Sequence, residues 1–366
     1  MRARDLGIII GTLKPGPLNA ITDVRGVLVG HATLIEGEGP LVVGKGPIRT
    51  GVTVILPHDW DPGREPLFAG SHTLNGNGEM TGLEWVGDSG LLTTPIGLTN
   101  THSVGVVRDA LVAASVAGRN EVGLWSLPVV AETWDGYLND VNGQHVRAEH
   151  VFEALAAASG GPVAEGSVGA GTGTKAFGFK AGIGTASRHV GKEHGGHTVG
   201  VLVQANHGRR ERLMVDGVPI GREITRDEIA GPDLPDDTGS IIAVVATDAP
   251  LLPQQCRRLA ERAGLGVARG GGGGENDSGD FFLAFATGNR SLRAEDDGQA
   301  PISFPLQMLN DDHISELFWA AIEATEEAVL NSMIAAETMV GRDGIAFHAL
   351  PHERLVEVMR RYGRFG

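Results

Sequence analysis

Short runs of apolar and β-branched residues, each bounded by glycine or polar residues, recur along the chain and limit the folds open to it. Runs of this length and composition are typical of buried β-strands. They occupy residues 26–30, 51–56, 198–203, 241–245 and 281–285. The chain therefore has to form one or more sheets whose strands come from widely separated parts of the sequence.

Helical periodicity lies between and after these runs. It covers residues 107–116, 151–156, 253–263, 314–338 and 351–361. Because strands and helices are mixed without a regular strand–helix–strand alternation, we expect sheets packed between layers of helices. No linker and no internal repeat divides the 366 residues, so a single α+β domain is predicted.

The composition argues against several functional classes. Acidic residues outnumber basic ones by 45 to 30, and the basic residues form no long stripe, so a nucleic-acid partner is not expected. No 18 apolar residues run together, which argues against a membrane span, and the apolar stretch 6–10 is too short for a signal peptide. The single cysteine, Cys256, cannot form an internal disulfide, which favours a cytoplasmic location.

The Gly239-Ser240 pair lies between an acidic, proline-bearing stretch, residues 231–238, and the apolar run 241–247. If the peptide bond between them broke, Ser240 would become an amino-terminal residue. A free α-amine has a pKa near ~7.7 and can deprotonate a hydroxyl beside it, so one residue would supply nucleophile and base. Glycine before the bond tolerates the backbone that self-cleavage requires. A plain turn is the alternative, since Gly-Ser also occurs at residues 70–71 and 166–167.

The stretch 222–238 before this bond is polar and charged and carries Pro232 and Pro235. We expect an exposed loop there, which would make the bond accessible.

Other motifs give weaker signals. The stretch 169–175 is rich in glycine but lacks the Gly-Lys-Ser/Thr order of a phosphate-binding loop. Loop or surface positions are favoured over metal ligation for a loose group of histidines, which are His189, His194, His197 and His207. No Gly-x-Ser-x-Gly elbow occurs, and a cysteine in a helical pattern is more typical of packing than of catalysis.

Three local groups are suited to assist an amino-terminal serine. Ser278 and Asp280 alternate at the start of a strand, so their side chains should lie on one side and form a proton relay. Asn206 follows the strand that begins at residue 198, where its amide would stabilise an oxyanion. Glu132 lies between an apolar run and an aromatic residue, a setting suited to binding an ammonium group. The alternatives are a strand-entry turn for Ser278 and Asp280, a turn cap for Asn206 and a surface position for Glu132.

Several longer segments together resemble the self-processing aminopeptidases that include the L-aminopeptidase/D-esterase and the β-peptidyl aminopeptidases. These segments are residues 4–7, 19–24, 76–79, 99–101, 165–173, 177–180, 182–188 and 238–242. In that family the precursor is cut before a serine that becomes the nucleophile of the smaller chain. Ser240 matches this serine, so the resemblance implies fragments 1–239 and 240–366.

The resemblance also implies roles for other residues. Ser278 and Asp280 would assist proton movement, Asn206 would help to form the oxyanion hole, and Glu132 would hold the free amine of the substrate. The implied fold is a four-layer αββα sandwich of the N-terminal-nucleophile hydrolase type. A homo-oligomer, such as a tetramer of processed heterodimers, is expected, and no cofactor or metal is required.

Two positions depart from the family pattern. Asp280 stands where the β-peptidases have glutamate, and Trp134 stands where a tyrosine usually adds to the oxyanion hole. The Trp134 indole or the Tyr137 hydroxyl would replace that donor. An ornithine-acetyltransferase-like acyltransferase and an unprocessed, non-catalytic ligand-binding homologue are the alternatives. The sequence leaves the preference among L-, D- and β-residues open.

Overall fold

The strands of the predicted sheets are present and lie in two main layers. The computed structural model describes residues 1–59, 65–119, 125–232, 239–290, 292 and 302–365. The strands in this part of the chain are β1 (Leu28–Glu36), β2 (Ile48–Leu56), β3 (Leu67–Gly76), β4 (Leu91–Leu92), β5 (Ile96–Asn100), β6 (Val129–Thr133), β7 (Lys175–Ala176), β8 (Phe179–Lys180), β9 (Ile183–His189), β10 (Thr198–Asn206), β11 (Ser240–Thr247), β12 (Gly279–Ala286), β13 (Met339–Val340) and β14 (Ala346–Phe347).

Two large sheets account for ten of these strands. A four-stranded sheet has the order β1-β2-β5-β6, and a six-stranded sheet has the order β4-β3-β12-β11-β10-β9. Most neighbours are antiparallel, but β5 pairs with β6, and β11 with β12, in parallel. The remaining strands form two short hairpins, β7-β8 and β13-β14.

Helices cover the outer face of each sheet. The α-helices of the described residues are α1 (Leu83–Ser89), α2 (Val104–Val116), α3 (Ala148–Ala157), α4 (Ile220–Glu223), α5 (Pro253–Arg269), α6 (Ile314–Ile334) and α7 (His352–Arg361). Helices α2 and α3 pack on the four-stranded sheet, while α5 and α6 pack on the six-stranded sheet.

Three apolar cores separate the layers and establish their order. One core lies between α2, α3 and the four-stranded sheet, and includes Val107 and Val130. The second lies between the two sheets and includes Leu98 and Val244. The third lies between the six-stranded sheet and helices α5 and α6, and includes Val245. The predicted αββα sandwich is therefore confirmed.

The centre of the six-stranded sheet determines where the site lies. Alternation along β11 directs Ile242 and Val244 toward the other sheet, and Ile241 and Val245 toward the helices. The first residue of β11, Ser240, pairs with the last residue of β10 and the first residue of β12. The polar residues Asn206 and Ser240, at two of these strand ends, are thereby placed directly opposite each other.

The sequence predicted the apolar elements better than the polar ones. All five expected strand regions and all five expected helix regions coincide with observed elements, although α6 ends at Ile334. Among the strands of five or more residues, β3, β5, β6 and β9 were not predicted, and the five two-residue strands were not predicted either. Buried polar residues interrupt several of the longer ones, as Thr185, Ser187 and Arg188 do in β9. No described helix has the length and apolar character that a bilayer span needs.

The predicted loop before Ser240 is only partly described. It follows the helical turn α4, and residues 225–229 are mainly exposed. Residues 233–238 lie outside the described part of the chain.

Candidate active site

Ser240 is the first residue of a fully buried central strand, and its own exposure is only 6%. Its Oγ accepts a hydrogen bond from the backbone N–H of Gly279 at 3.2 Å. In the antiparallel register of β10 and β11, Ser240 lies directly opposite Asn206. Ser240 therefore begins a strand, as predicted, and lines a cavity.

Gly239 is required by close backbone contact. A methyl group on its Cα would lie 1.7 Å from the carbonyl oxygen of Asn206. Any side chain would push the Gly239-Ser240 bond away from β10, which gives a physical reason for glycine before the serine.

Asn206 is nearly fully buried, and its amide is held at both ends. Its Oδ1 accepts the backbone N–H of Lys175 at 3.1 Å, and its Nδ2 donates to the carbonyl of Trp134 at 2.9 Å. The Asn206 side chain therefore has a defined orientation beside Ser240. A fixed amide donor is what stabilisation of a developing oxyanion requires, because no reorganisation is needed during the reaction.

Ser278 and Asp280 lie on one side of β12, as their spacing predicts. The Ser278 hydroxyl donates to Oδ1 of Asp280 at 2.7 Å, while Oδ2 of Asp280 is buried without a hydrogen-bond partner. Burial raises the pKa of Asp280 to about 6, with the Ser278 hydrogen bond partly opposing this effect. The two residues flank Gly279, whose N–H contacts Ser240. A carboxyl group that titrates near neutral pH is well suited to exchange protons there.

Glu132 is buried at the end of β6 and projects into the same cavity. Its Oε1 accepts the backbone N–H of Glu79 at 3.0 Å, and its Oε2 accepts the Thr101 hydroxyl. Burial raises the pKa of Glu132, and these two hydrogen bonds partly counteract the rise. A buried carboxylate held in this way can bind a cationic group.

Trp134 and Tyr137 form an aromatic wall of the cavity. Their rings meet edge to face with centroids 4.8 Å apart, and Trp134 remains 40% exposed. Both side chains line the cavity beside Asn206. The two residues considered as replacements for the family's tyrosine therefore line the same cavity as Asn206.

The cavity measures about 340 Å³ and brings together most of the predicted site. Its lining includes Ser240, Gly239, Asn206, Glu132, Trp134 and Tyr137. A larger surface groove of about 740 Å³ lies between the N-terminal segment, α6 and the C-terminus, and it contains none of the predicted site residues. The convergence of the strand ends, rather than cavity size, makes the smaller cavity the candidate functional site.

Sequence reasoning missed five lining residues, Asn77, Gly78, Thr101, Lys175 and Asp277. Asn77 and Thr101 fall inside the segments 76–79 and 99–101 that carry the family resemblance, which was the available signal. Lys175 ends the glycine-rich stretch considered for phosphate binding. Its backbone N–H bonds Asn206, so the stretch leads into the active site.

The histidines considered for metal binding are not brought together. His194 lies 3.3 Å from His313 between Nδ1 atoms, whereas His197 is near Asp248 and His207 packs against Phe177. Within the described ranges, no group of three His, Cys, Asp or Glu side chains is arranged to share a metal ion.

Comparison with known proteins identifies the family. The model of peptidase family S58 matches residues 19–347. The chain belongs to peptidase family S58. A β-peptidyl aminopeptidase, BapA of Sphingosinicella microcystinivorans, is 48% identical over 99% of this chain and 93% of that protein.

Solved structures similar to this S58 chain cover nearly its whole length. A Burkholderia sp. β-aminopeptidase superposes with a TM-score of 0.92 at 54% identity, over 99% of both chains. The L-aminopeptidase D-Ala-esterase/amidase of Ochrobactrum anthropi superposes with a TM-score of 0.90 at 45% identity, over 100% of this chain and 99% of the other. That protein is described as a variant of the N-terminal-nucleophile hydrolase fold. This S58 chain has the same fold and is a hydrolase of that class.

Proposed function

We propose that the chain cuts itself between Gly239 and Ser240 and then acts as an aminopeptidase. In the first step, the Ser240 hydroxyl adds to the carbonyl carbon of Gly239. The bond from that carbon to the Ser240 nitrogen breaks, and the nitrogen takes up the hydroxyl proton. Water then hydrolyses the resulting ester, leaving a carboxylate on Gly239 and a free amine and hydroxyl on Ser240. Fragments 1–239 and 240–366 remain one folded unit.

The second reaction uses the same serine on a substrate. The Ser240 amine accepts the hydroxyl proton as the oxygen attacks the carbonyl of an N-terminal residue. The leaving amine or alcohol takes a proton and departs, and water hydrolyses the acyl-enzyme to release the residue. Substrates are short peptides, amides or esters with N-terminal L-, D- or β-residues, in keeping with the names of the similar proteins.

One observation carries this proposal. A glycine-preceded serine at the start of a central strand lines a cavity with a buried carboxylate, Glu132, and a fixed amide, Asn206. The carboxylate suits the free amine of the substrate, which explains restriction to N-terminal residues. The amide suits the oxyanion formed at the carbonyl next to it. The distribution of these groups around one hydroxyl matches what aminopeptidase chemistry needs.

The remaining roles follow from position. The Ser278–Asp280 pair exchanges protons with the amine of residue 240, since both residues adjoin the strand end that holds it. Trp134 or Tyr137 supplies a second donor to the oxyanion, and both shape the pocket for the N-terminal side chain.

The test is to purify the wild-type chain and the Ser240→Ala variant and to analyse both by denaturing gel and intact-mass measurement. The wild type should give two polypeptides, the smaller beginning at Ser240, and should hydrolyse a panel of aminoacyl p-nitroanilides. Ser240→Ala should stay in one piece and show no turnover. A variant that still splits and still hydrolyses the panel contradicts the proposal.

We further propose a cytoplasmic homo-oligomer, a tetramer of processed heterodimers. Exposed apolar side chains, Ile9, Trp319 and Phe365, share one surface groove, which supports self-association. The single buried Cys256 suits a reducing compartment. Light scattering of the processed protein, and fractionation of its source cells, test the two statements. A monomeric mass, or recovery outside the cytoplasm, contradicts the respective one.

A further inference from the structure

The side-chain amide of Asn206 is oriented by two backbone groups from separate segments of the chain. The N–H of Lys175 donates to Oδ1 at 3.1 Å, and the carbonyl of Trp134 accepts a hydrogen bond from Nδ2 at 2.9 Å. An amide NH2 group carries two donors, so one N–H of Asn206 is bound to Trp134 and the second can donate to an oxyanion. The position of that second donor therefore depends on what holds residues 134 and 175 in place.

Residue 175 belongs to the short β7-β8 hairpin, in which Lys175 pairs directly with Lys180. The Lys180 side chain is fully buried, and its Nζ donates to the carbonyl of Gly171 at 3.3 Å and to the carbonyl of Ala181. One lysine side chain thus ties strand β8 to the glycine-rich stretch 169–175 that leads into the hairpin. Its contacts hold the segment that carries the N–H of Lys175.

Trp134 is followed by Asp135, which is 1% exposed and contacts the same glycine-rich stretch. A methyl group on Gly173 would lie 2.9 Å from Cβ of Asp135 and 2.1 Å from the carbonyl oxygen of Arg49, so only glycine fits between them. Oδ1 of Asp135 accepts a hydrogen bond from the Asn139 amide at 3.0 Å, which fixes the carboxyl group. Asp135 therefore joins the segment that carries the Trp134 carbonyl to the glycine-rich stretch.

Asp135 and Lys180 also interact electrostatically with each other. Burial lowers the pKa of Lys180 to about 7, and the negative charge of Asp135 partly opposes this effect. Burial likewise raises the pKa of Asp135 to about 7. Two groups of opposite charge that are both removed from water stabilise each other, and loss of one leaves the other without this opposite charge. The two side chains therefore form one buried pair, and neither is among the described residues that line the cavity.

We propose that Asp135 and Lys180 are positioning residues that hold the Asn206 amide in the orientation needed to bind the oxyanion. Asp135 acts on the segment that binds Nδ2, and Lys180 acts on the segment that binds Oδ1, so the pair reaches both ends of one amide. The inference rests on the proposed aminopeptidase function, in which Asn206 is a donor to the oxyanion. It also gives the glycine-rich stretch 169–175 a role, since this stretch contacts both buried side chains.

The experiment asks whether these residues act through Asn206. In fully processed protein, Asp135→Asn should lower kcat for an aminoacyl p-nitroanilide by about tenfold, the size expected when one hydrogen bond to a charged group is weakened. KM should change little, because Glu132 is untouched. In the Asn206→Ala background, the same substitution should lower kcat by less than about twofold, since the donor that it positions is already absent. An equal decrease in both backgrounds, or no decrease when Asn206 is present, overturns the inference.

Lys180→Met approaches the same amide from its other end and should show the same dependence on Asn206. The matched control is Asp140→Asn, at an equally buried carboxyl group that binds the turn at residues 44–46 instead, and it should leave kcat nearly unchanged in either background. If neither Asp135→Asn nor Lys180→Met yields folded, processed protein, the pair stabilises the fold as a whole and the inference is overturned. If the wild-type chain hydrolyses no member of the p-nitroanilide panel, the proposed function fails with it.

Discussion

Two buried clusters of charged residues join the proposed fragments 1–239 and 240–366, and they differ in how completely their charges are paired. In the first, Arg188 of β9 binds Glu323 and Glu327 of α6 at 3.1 and 2.7 Å, and Arg4 binds Glu327 at 3.0 Å. The carboxylates also accept N–H groups of Thr12, Leu13 and Asn19. Every charge in this structural cluster has a partner of opposite sign.

The second cluster lies at the proposed active site, where pairing is incomplete. Asp280 accepts one hydroxyl and leaves an oxygen without a partner, and Glu132 accepts two neutral donors. Burial raises the pKa of both groups. Buried charges that are fully paired therefore stabilise the fold, whereas buried carboxyl groups that are incompletely paired remain available to bind a substrate or to exchange a proton.

The largest effect should come from breaking the fully paired cluster. Arg188→Met leaves the buried Glu323 without its cation and Glu327 with Arg4 alone, and breaking a buried ion pair in this way typically costs about 3–5 kcal/mol. We expect this loss in the free energy of unfolding, measured by urea denaturation at neutral pH. The measurement belongs in the Ser240→Ala background, where an uncut chain makes unfolding a unimolecular reaction.

A matched control distinguishes burial from charge alone. Arg257 pairs with Glu261 one turn away on α5, and 56% of the Arg257 side chain is exposed. Arg257→Met should change the unfolding free energy by less than about 1 kcal/mol. Similar decreases in the free energy of unfolding for both variants would show that the buried Arg188 cluster stabilises the fold no more than an exposed ion pair does.

The next-largest effect should be a loss of activity when the side-chain amide of Asn206 is removed. Asn206→Ala removes the proposed side-chain donor to the oxyanion, so kcat should fall by about 100-fold or more, equivalent to about 3 kcal/mol. The assay is steady-state hydrolysis of an aminoacyl p-nitroanilide by fully processed protein, with the exposed Asn142→Ala as the control. A decrease of less than tenfold would remove Asn206 from the mechanism.

A smaller decrease in activity is expected for Glu132→Gln, because glutamine has nearly the same shape as glutamate. Glu132→Gln removes the negative charge that we propose binds the substrate's amine, which should lower kcat/KM by about 10- to 100-fold, mainly through KM. The exposed Glu149→Gln is the control. A Glu132→Gln variant with an unchanged KM would mean that the substrate amine binds elsewhere.

The sequence predicted residues of the proposed active site but not those of the structural cluster, for a physical reason. Ser240, Asn206 and Asp280 stand at the ends of apolar runs, and strand ends are visible in a sequence. Which strand ends meet is decided by sheet register, so Lys175 and Thr101 could not be placed beside Ser240 from spacing. Recognition of the family supplied the shared site that local patterns left ambiguous.

The sequence did not predict the structural cluster around Arg188. Arg188 lies in a polar stretch that hid strand β9, and Glu323 and Glu327 look like the ordinary charged residues of a surface helix. Their burial depends on helix α6 packing across β9, a contact between segments that are more than 100 residues apart. Local periodicity carries no information on such a pairing.

The last comparison uses pH, since burial raises the pKa of both carboxyl groups in the incompletely paired cluster. The Ser240 amine must be a free base, with a pKa near ~7.7, and Asp280 must be a carboxylate, with its pKa raised to about 6. Log kcat/KM should therefore rise with a slope of about one between these values and about two below pH 6. Asp280→Asn should reduce the slope below pH 6 to one.

Ionisation of Asp280 should lower the stability of the folded chain, whereas it should raise the activity. Because its pKa is raised from 3.8 to about 6 on folding, the folded chain holds the proton more tightly, and this stabilising contribution is lost as pH rises through that window. Asp280→Asn should therefore melt at a higher temperature than the wild type at pH 8, although it is the less active protein. Asp248→Asn, at a partly exposed carboxylate outside the cavity, should change neither property. A lower melting temperature for Asp280→Asn at pH 8 would mean that Asp280 is paired in the manner of the structural cluster, and the contrast between the two regions would disappear.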